Sequence, residues 1–140
     1  MIVLDTNVVS ELMRPARSAA VLAWLSAQRE VDHLFVTTIS VAEVLYGIEL
    51  LPQGKRRDGL ASQADSMFTQ DLAGRVLPFD ETAARIFPLL AAARRKQGRP
   101  IEFFDAQIAA IVRAQGATLA TRNTDDFEGC GVRLVNPWEA

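Results

Sequence analysis

Three acidic residues stand at or just inside the start of a helix. Asp5 follows the apolar run Ile2-Val3-Leu4, Glu43 lies just inside Ser40-Val41-Ala42-Glu43, and Asp105 opens Asp105-Ala106-Gln107-Ile108-Ala109-Ala110. If the fold makes these positions converge, their oxygens form a pocket of crowded negative charge. Such a pocket repels itself unless a hard divalent cation fills it. The chemistry to expect is that of a metal-dependent enzyme acting on a phosphate backbone. A carboxylate-held Mg²⁺ or Mn²⁺ can activate water, neutralise the phosphate and steady the departing oxygen.

Each acid also has a purely structural explanation. Ser40-Val41-Ala42-Glu43 fits a capping box, in which Glu43 accepts from the Ser40 amide. Asp105 in a first helical turn would favour the helix dipole. Asp5 can cap the helix that follows it, and Asp126 can cap a short turn before Phe127. Asp71 and Asp80 have similar explanations, and nothing draws them to the same edge. Asp5 is the hardest to dismiss, because an ionised carboxylate straight after a buried strand must be paired, capped or metal-bound. Capping does not require all the caps to meet, so the argument rests on the set.

The elements that would position these acids alternate in type. Strands are expected at Met1-Leu4, Leu34-Thr38, Val76-Pro78, Thr118-Thr121 and Val132-Val135. Helices are expected from about Asn7 to Pro15 and from about Ser18, the latter with Val21, Leu22 and Leu25 on one face. Others run over Ser40-Leu50, Gly54 to about Leu72, Asp80-Gly98 and Phe103-Gln115. The last has Phe104, Ile108, Ile111 and Val112 on its buried side and Gly116 as C-cap. Such alternation implies a parallel sheet covered on both faces. Ligands in these sheets bind beyond the carboxyl ends of the strands, where strand order reverses. Asp5, Asn123 and Asp126 would sit at that edge, and helix starts there would bring in Glu43 and Asp105.

Composition sets bounds on function. The chain has 140 residues, read as one domain, and 49% of them are hydrophobic, enough for a globular core. No apolar stretch is long enough to span a bilayer, and no signal peptide is visible, so a cytoplasmic location is expected. A net charge of −2 argues against holding nucleic acid by bulk attraction alone. Two basic clusters, Lys55-Arg56-Arg57 and Arg94-Arg95-Lys96 with Arg99, read first as solvated helix ends. The single cysteine, Cys130, excludes an internal disulfide and reads as a small, partly buried residue, and His33 reads as structural.

Taken in order, the motifs carry a resemblance. They are Ile2-Val3-Leu4-Asp5-Thr6-Asn7-Val8-Val9-Ser10-Glu11, then Thr38-Ile39-Ser40-Val41-Ala42-Glu43-Val44 with Tyr46-Gly47. Gly98-Arg99-Pro100-Ile101 leads to Asp105, and Ala120-Thr121-Arg122-Asn123-Thr124-Asp125-Asp126-Phe127 precedes a closing Asn136-Pro137-Trp138. Over essentially its whole length the chain resembles the PIN-domain ribonucleases, of the kind found as VapC toxins in bacterial toxin–antitoxin pairs, and most of all the FitB-like branch.

The resemblance implies a three-layer α/β/α sandwich with a mostly parallel sheet of about five strands. It implies that Asp5, Glu43 and Asp105 are the catalytic acids that bind Mg²⁺ or Mn²⁺, with the fourth position falling to Asn123 or Asp126. On that reading water attacks RNA and leaves a 5′-phosphate and a 3′-hydroxyl. Asp126 with Asn123 would position that water or an outer-shell ion. Thr6, Ser40 and Thr121 would hydrogen-bond the carboxylates, and Arg122 would guide the RNA backbone. The implied partners are an antitoxin whose C-terminal segment lies across the acidic groove, and a second copy of the chain in a homodimer. Helix faces carrying Leu45, Ile48 and Leu51 would serve either the core or a partner. The competing readings are a Mg²⁺-binding phospho-acceptor signalling domain, which usually places a lysine near its acids, and a non-catalytic partner-binding module.

Overall fold

The structure, a computed structural model, describes residues 1–28 and 33–140. Five short strands form one parallel sheet: β1 (Ile2–Leu4), β2 (Leu34–Thr37), β3 (Val76–Leu77), β4 (Thr118–Ala120) and β5 (Arg133–Val135). Their order is β3-β2-β1-β4-β5. The chain steps outward from β1 on one side through β2 to β3, then returns to the other side for β4 and β5. The reversal therefore lies between β1 and β4, where Ile2, Val3 and Leu4 pair with Thr118, Leu119 and Ala120. This is the kind of crevice in which doubly wound sheets hold ligands.

Side-chain alternation along the strands sorts the core into two layers. Val3 and Leu119 point to one face, where α5 (Glu81–Lys96) and α6 (Phe103–Ala114) supply Ala83, Leu90, Ile108, Ile111 and Val112. Leu4, Val36 and Ala120 point to the other, against α1 (Thr6–Leu12), α2 (Ala19–Ala27), α3 (Thr38–Glu49) and α4 (Lys55–Ser66). A short α7 (Thr124–Phe127) follows β4. The result is the expected three-layer sandwich.

Several boundaries differ from the sequence-based expectation. The second strand stops at Thr37, whose hydroxyl accepts from the Ser40 amide at 3.1 Å. The cap thus lies three residues before the expected one. The stretch expected as one helix to Leu72 is helical only to Ser66, then widens into a π-turn over Met67–Asp71, closed by the Leu72 amide on the Met67 carbonyl. In α2 the buried pair is Val21 and Trp24, whereas Leu22 is exposed. Phe104 was expected inside and lies half exposed, because the buried stripe of α6 runs through Ala106, Ile108, Ala109 and Val112. The end of α6 follows expectation: Gly116 takes a left-handed φ of 61°, and the Ala117 amide reaches back to the Val112 carbonyl.

Candidate active site

Two strands run straight into caps, β1 into Asp5 before α1 and β2 ending on Thr37 before α3, and this brings Asp5 and the start of α3 to one edge. Asp5 directly follows β1; its amide donates to the Ala120 carbonyl at 2.9 Å, and its Oδ1 caps α1 by accepting from the Thr6 amide at 2.8 Å. Its Oδ2 accepts from the Thr121 hydroxyl at 2.7 Å and from Asn7 Nδ2 at 3.4 Å. Thr121, directly after β4, also accepts from Asn7 Nδ2 and from the Asn123 amide. One carboxylate, only 4% exposed, is thus held by hydroxyl, amide and backbone donors.

Glu43 is not part of a capping box. It lies in the second turn of α3, and its Oε1 accepts from the Thr6 hydroxyl at 2.8 Å. Thr6 has one hydroxyl proton and gives it to Glu43, so at the 2.8 Å contact between Thr6 and Ser40 it is Ser40 that donates. Ser40 in turn accepts from the Thr37 hydroxyl at 3.5 Å. A one-way chain of protons, Thr37 to Ser40 to Thr6 to Glu43, therefore points at the carboxylate and favours its ionised form.

Asp105 sits in the first turn of α6, which Glu102 caps by accepting from the Asp105 amide at 3.1 Å. Asp5, Glu43, Asp105 and Asn123 line one cavity of about 450 Å³, together with Thr6, Asn7, Ser10, Glu11, Arg14, Arg122 and Trp138. Ser40 is fully buried behind it. Asp126 is exposed and does not line the cavity, although its charge is felt at Asp5 and at Asp105. The lining contains no lysine, which the phospho-acceptor reading would call for.

The electrostatics are those of crowded acids. Asp105 is pushed up to about 7, first by burial and then by the charges of Asp5, Glu102, Asp126 and Glu43. Burial raises Asp5 as well, opposed by its bonds from Thr121 and Thr6. Glu43 is raised by burial and by Asp5 and Glu102, against the Thr6 bond. Among the described residues no three Asp, Glu, His or Cys side chains stand close enough together to hold an ion as they are placed. The donor set still fits a hard cation of the Mg²⁺ type, which keeps several waters and takes only one or two carboxylates directly.

The family model for the PIN domain matches residues 2–130. The chain belongs to the PIN-domain family. A VapC ribonuclease, Y4jK of Sinorhizobium fredii, is 44% identical over 139 residues, 99% of each chain. Toxin FitB of Neisseria gonorrhoeae is 37% identical over 138 residues, again 99% of each. A solved structure of FitAcB from Neisseria gonorrhoeae superposes with a TM-score of 0.89 at 36% identity, covering 100% of both chains. PIN-domain ribonucleases generally use divalent metal ions, in keeping with the donor set here. Among the described residues, no helix of this PIN domain is long and apolar enough to cross a membrane.

Sequence reasoning passed over four residues around this site. Asn7 bridges Asp5 and Thr121 through Nδ2 and accepts from the Arg122 amide through Oδ1. Glu11 is buried and accepts from Arg14 at 3.1 Å and from the Ser18 amide. Trp138 lies on the cavity wall. Arg94 corrects the solvated reading of its cluster: it is 4% exposed and donates to the carbonyls of Arg99, Asp126 and Glu128 and to Cys130 Sγ. A signal for it existed, since Ala83, Leu90 and Arg94 share the buried face of α5. Cys130 is fully rather than partly buried.

Proposed function

We propose that this chain is a metal-dependent endoribonuclease, the toxin of a toxin–antitoxin pair, and that its antitoxin restrains it. The observation that carries the reading is the cavity at the reversal of strand order, lined by Asp5, Glu43 and Asp105 within a PIN fold, where Asp5 raises the proton affinity of Glu43 and both raise that of Asp105. Asp5, Glu43 and Asp105 would hold Mg²⁺ or Mn²⁺, with Asn123 offering a carbonyl oxygen. A bound divalent ion supplies Lewis-acid chemistry, acidifying water and neutralising the scissile phosphate.

The chain's own residues do the rest. Thr121, Asn7 and the Thr6 amide fix Asp5, so its remaining lone pairs face the cavity in one orientation. The proton chain through Ser40 and Thr6 aims Glu43 and opposes the rise that burial gives its carboxyl. Asn123 and, from the rim, Asp126 orient the attacking water. Water adds to phosphorus, the bond to the 3′-oxygen breaks, and the products are a 5′-phosphate and a 3′-hydroxyl.

An apolar groove of about 600 Å³ runs on from the acids between α1, α3 and α4, sharing Thr6, Ser10, Arg14 and Glu43 with the cavity. Met13, Val44, Ile48, Leu51 and Leu60 line it, so Ile48 and Leu51 serve that groove while Leu45 stays exposed. A groove of this kind suits an antitoxin segment laid toward the acids. A homodimer is the expected assembly. Purified protein should cut RNA when Mg²⁺ or Mn²⁺ is added and stop when EDTA is added. Cleavage that continues unchanged in EDTA would overturn the metal reading.

A further inference from the structure

The wall of the acidic cavity carries a cation on an aromatic ring. The guanidinium carbon of Arg122 lies over the Trp138 indole, 5.0 Å from its centroid. Both side chains line the acidic cavity. Trp138 is only partly buried and packs against the core layer that holds Leu4 and Ala120, whereas Arg122 is exposed. Among the described residues no carboxylate pairs with Arg122. A guanidinium held over an indole presents a flat, weakly hydrated surface outward.

The pair is also built in. Asn136 holds both members, accepting from the Trp138 amide at 2.9 Å and donating to the Arg122 carbonyl at 3.4 Å. The Arg122 amide donates to Asn7 Oδ1 at 3.3 Å, and the same Asn7 contacts Asp5. One asparagine therefore ties the backbone that carries Arg122 to the first acid. A salt contact to a phosphate would need only a flexible cation. A guanidinium over an indole, carried on backbone tied at both residues, is suited to a planar ligand.

We propose that Arg122 and Trp138 form a stacking platform for one unpaired nucleobase of the RNA strand at the mouth of the acidic cavity. This inference rests on the endoribonuclease reading and replaces a simple backbone role for Arg122. Bases splayed out of single-stranded RNA are recognised by stacking on aromatic rings and arginine planes. Stacking tolerates every base, so the platform selects unpaired strands rather than a sequence, with purines bound more tightly than pyrimidines.

The test separates base from backbone. Binding is measured in EDTA, so that nothing is cut, for three probes of equal length and charge: oligoadenylate, oligouridylate and an abasic oligoribonucleotide. Wild type should bind oligoadenylate about tenfold more tightly than the abasic strand, with oligouridylate between them. Trp138→Leu should erase that difference while leaving the abasic affinity near wild type. Trp138→Phe should restore most of it, and Arg122→Lys, which keeps the charge and loses the plane, should reduce it. Thermal melts of each variant check that it folds. Equal wild-type affinity for all three probes, or Arg122→Lys behaving as wild type, overturns the platform. Wild-type cleavage of RNA on addition of Mn²⁺ is scored separately. Cleavage without base preference sinks the platform alone, and base preference without cleavage sinks the nuclease reading alone.

Discussion

Replacing Asp105 by Asn should stabilise the metal-free protein at alkaline pH and abolish its activity. The carboxyl is raised from 3.8 to about 7, chiefly by burial and then by four neighbouring acids. A raised carboxyl means that the folded state binds the proton more tightly than the unfolded one. Its contribution to stability is therefore fully present below about pH 4, is lost as pH rises, and is gone above about pH 7. Each pH unit in that window is worth about 1.4 kcal/mol, so the penalty at about pH 8 has a ceiling of about 4 kcal/mol. Asp105 is only partly buried, and screening by water brings the expected gain of the variant to about 2 kcal/mol. For a chain of this size that corresponds to a rise in Tm of about 5–8 °C. Asn keeps the backbone amide that Glu102 caps, so the helix start is undisturbed. The assay is a pair of thermal melts in EDTA, at about pH 8 and about pH 4, for wild type and Asp105→Asn. The gain should appear at the higher pH and vanish at the lower. A lower Tm for the variant at the higher pH, or an equal gain at both, would refute charge crowding and assign Asp105 a structural role.

Further outcomes follow from the same geometry. Adding Mn²⁺ to wild type should raise its Tm more at about pH 8 than at about pH 5.5, because protons compete for the same carboxylates; calorimetric melts check this. Glu43→Gln keeps an acceptor for the Thr6 hydroxyl and removes the charge, so RNA cleavage should drop at least about tenfold while Tm in EDTA holds or rises. Thr6→Val breaks the proton chain that ends on Glu43 and should weaken Mn²⁺ binding by about tenfold, read by calorimetric titration. Arg94→Met leaves the carbonyls of Arg99, Asp126 and Glu128 without their donor, which should cost about 3 kcal/mol in urea unfolding.

Much of the fold was legible in the sequence because apolar runs and breakers reported on it directly. Ile2–Leu4, the capped start at Asp80 and the glycine stop at Gly116 need nothing beyond local chemistry. The misplaced features depended on tertiary context. Ser40 and Glu43 have the spacing of a capping box, yet Thr37 takes the cap and frees Ser40 to serve Thr6. Phe104 is apolar and still exposed, because α6 buries Ala106, Ile108, Ala109 and Val112 instead. Asp5 and Asp105 could be picked out because each sits beside a strand end or in a first helical turn, and Glu43 because it stands near the start of α3. The partners that orient them could not, since the contacts of Asn7 with Thr121 and of Thr6 with Glu43 join residues far apart in the chain. Arg94 shows the converse limit: beside Arg95 and Lys96 its charge reads as solvated, although its spacing from Ala83 and Leu90 puts it on the buried face of α5.

The most direct test is a titration of Mn²⁺ into the protein at about pH 8, followed by electron paramagnetic resonance, for wild type and for Asp5→Asn, Glu43→Gln and Asp105→Asn. Wild type should bind the ion with release of protons, and each substitution should weaken that binding by about tenfold or more. Wild-type protein that takes up no Mn²⁺, or three variants that bind it as tightly as wild type, would contradict a cation shared by these acids.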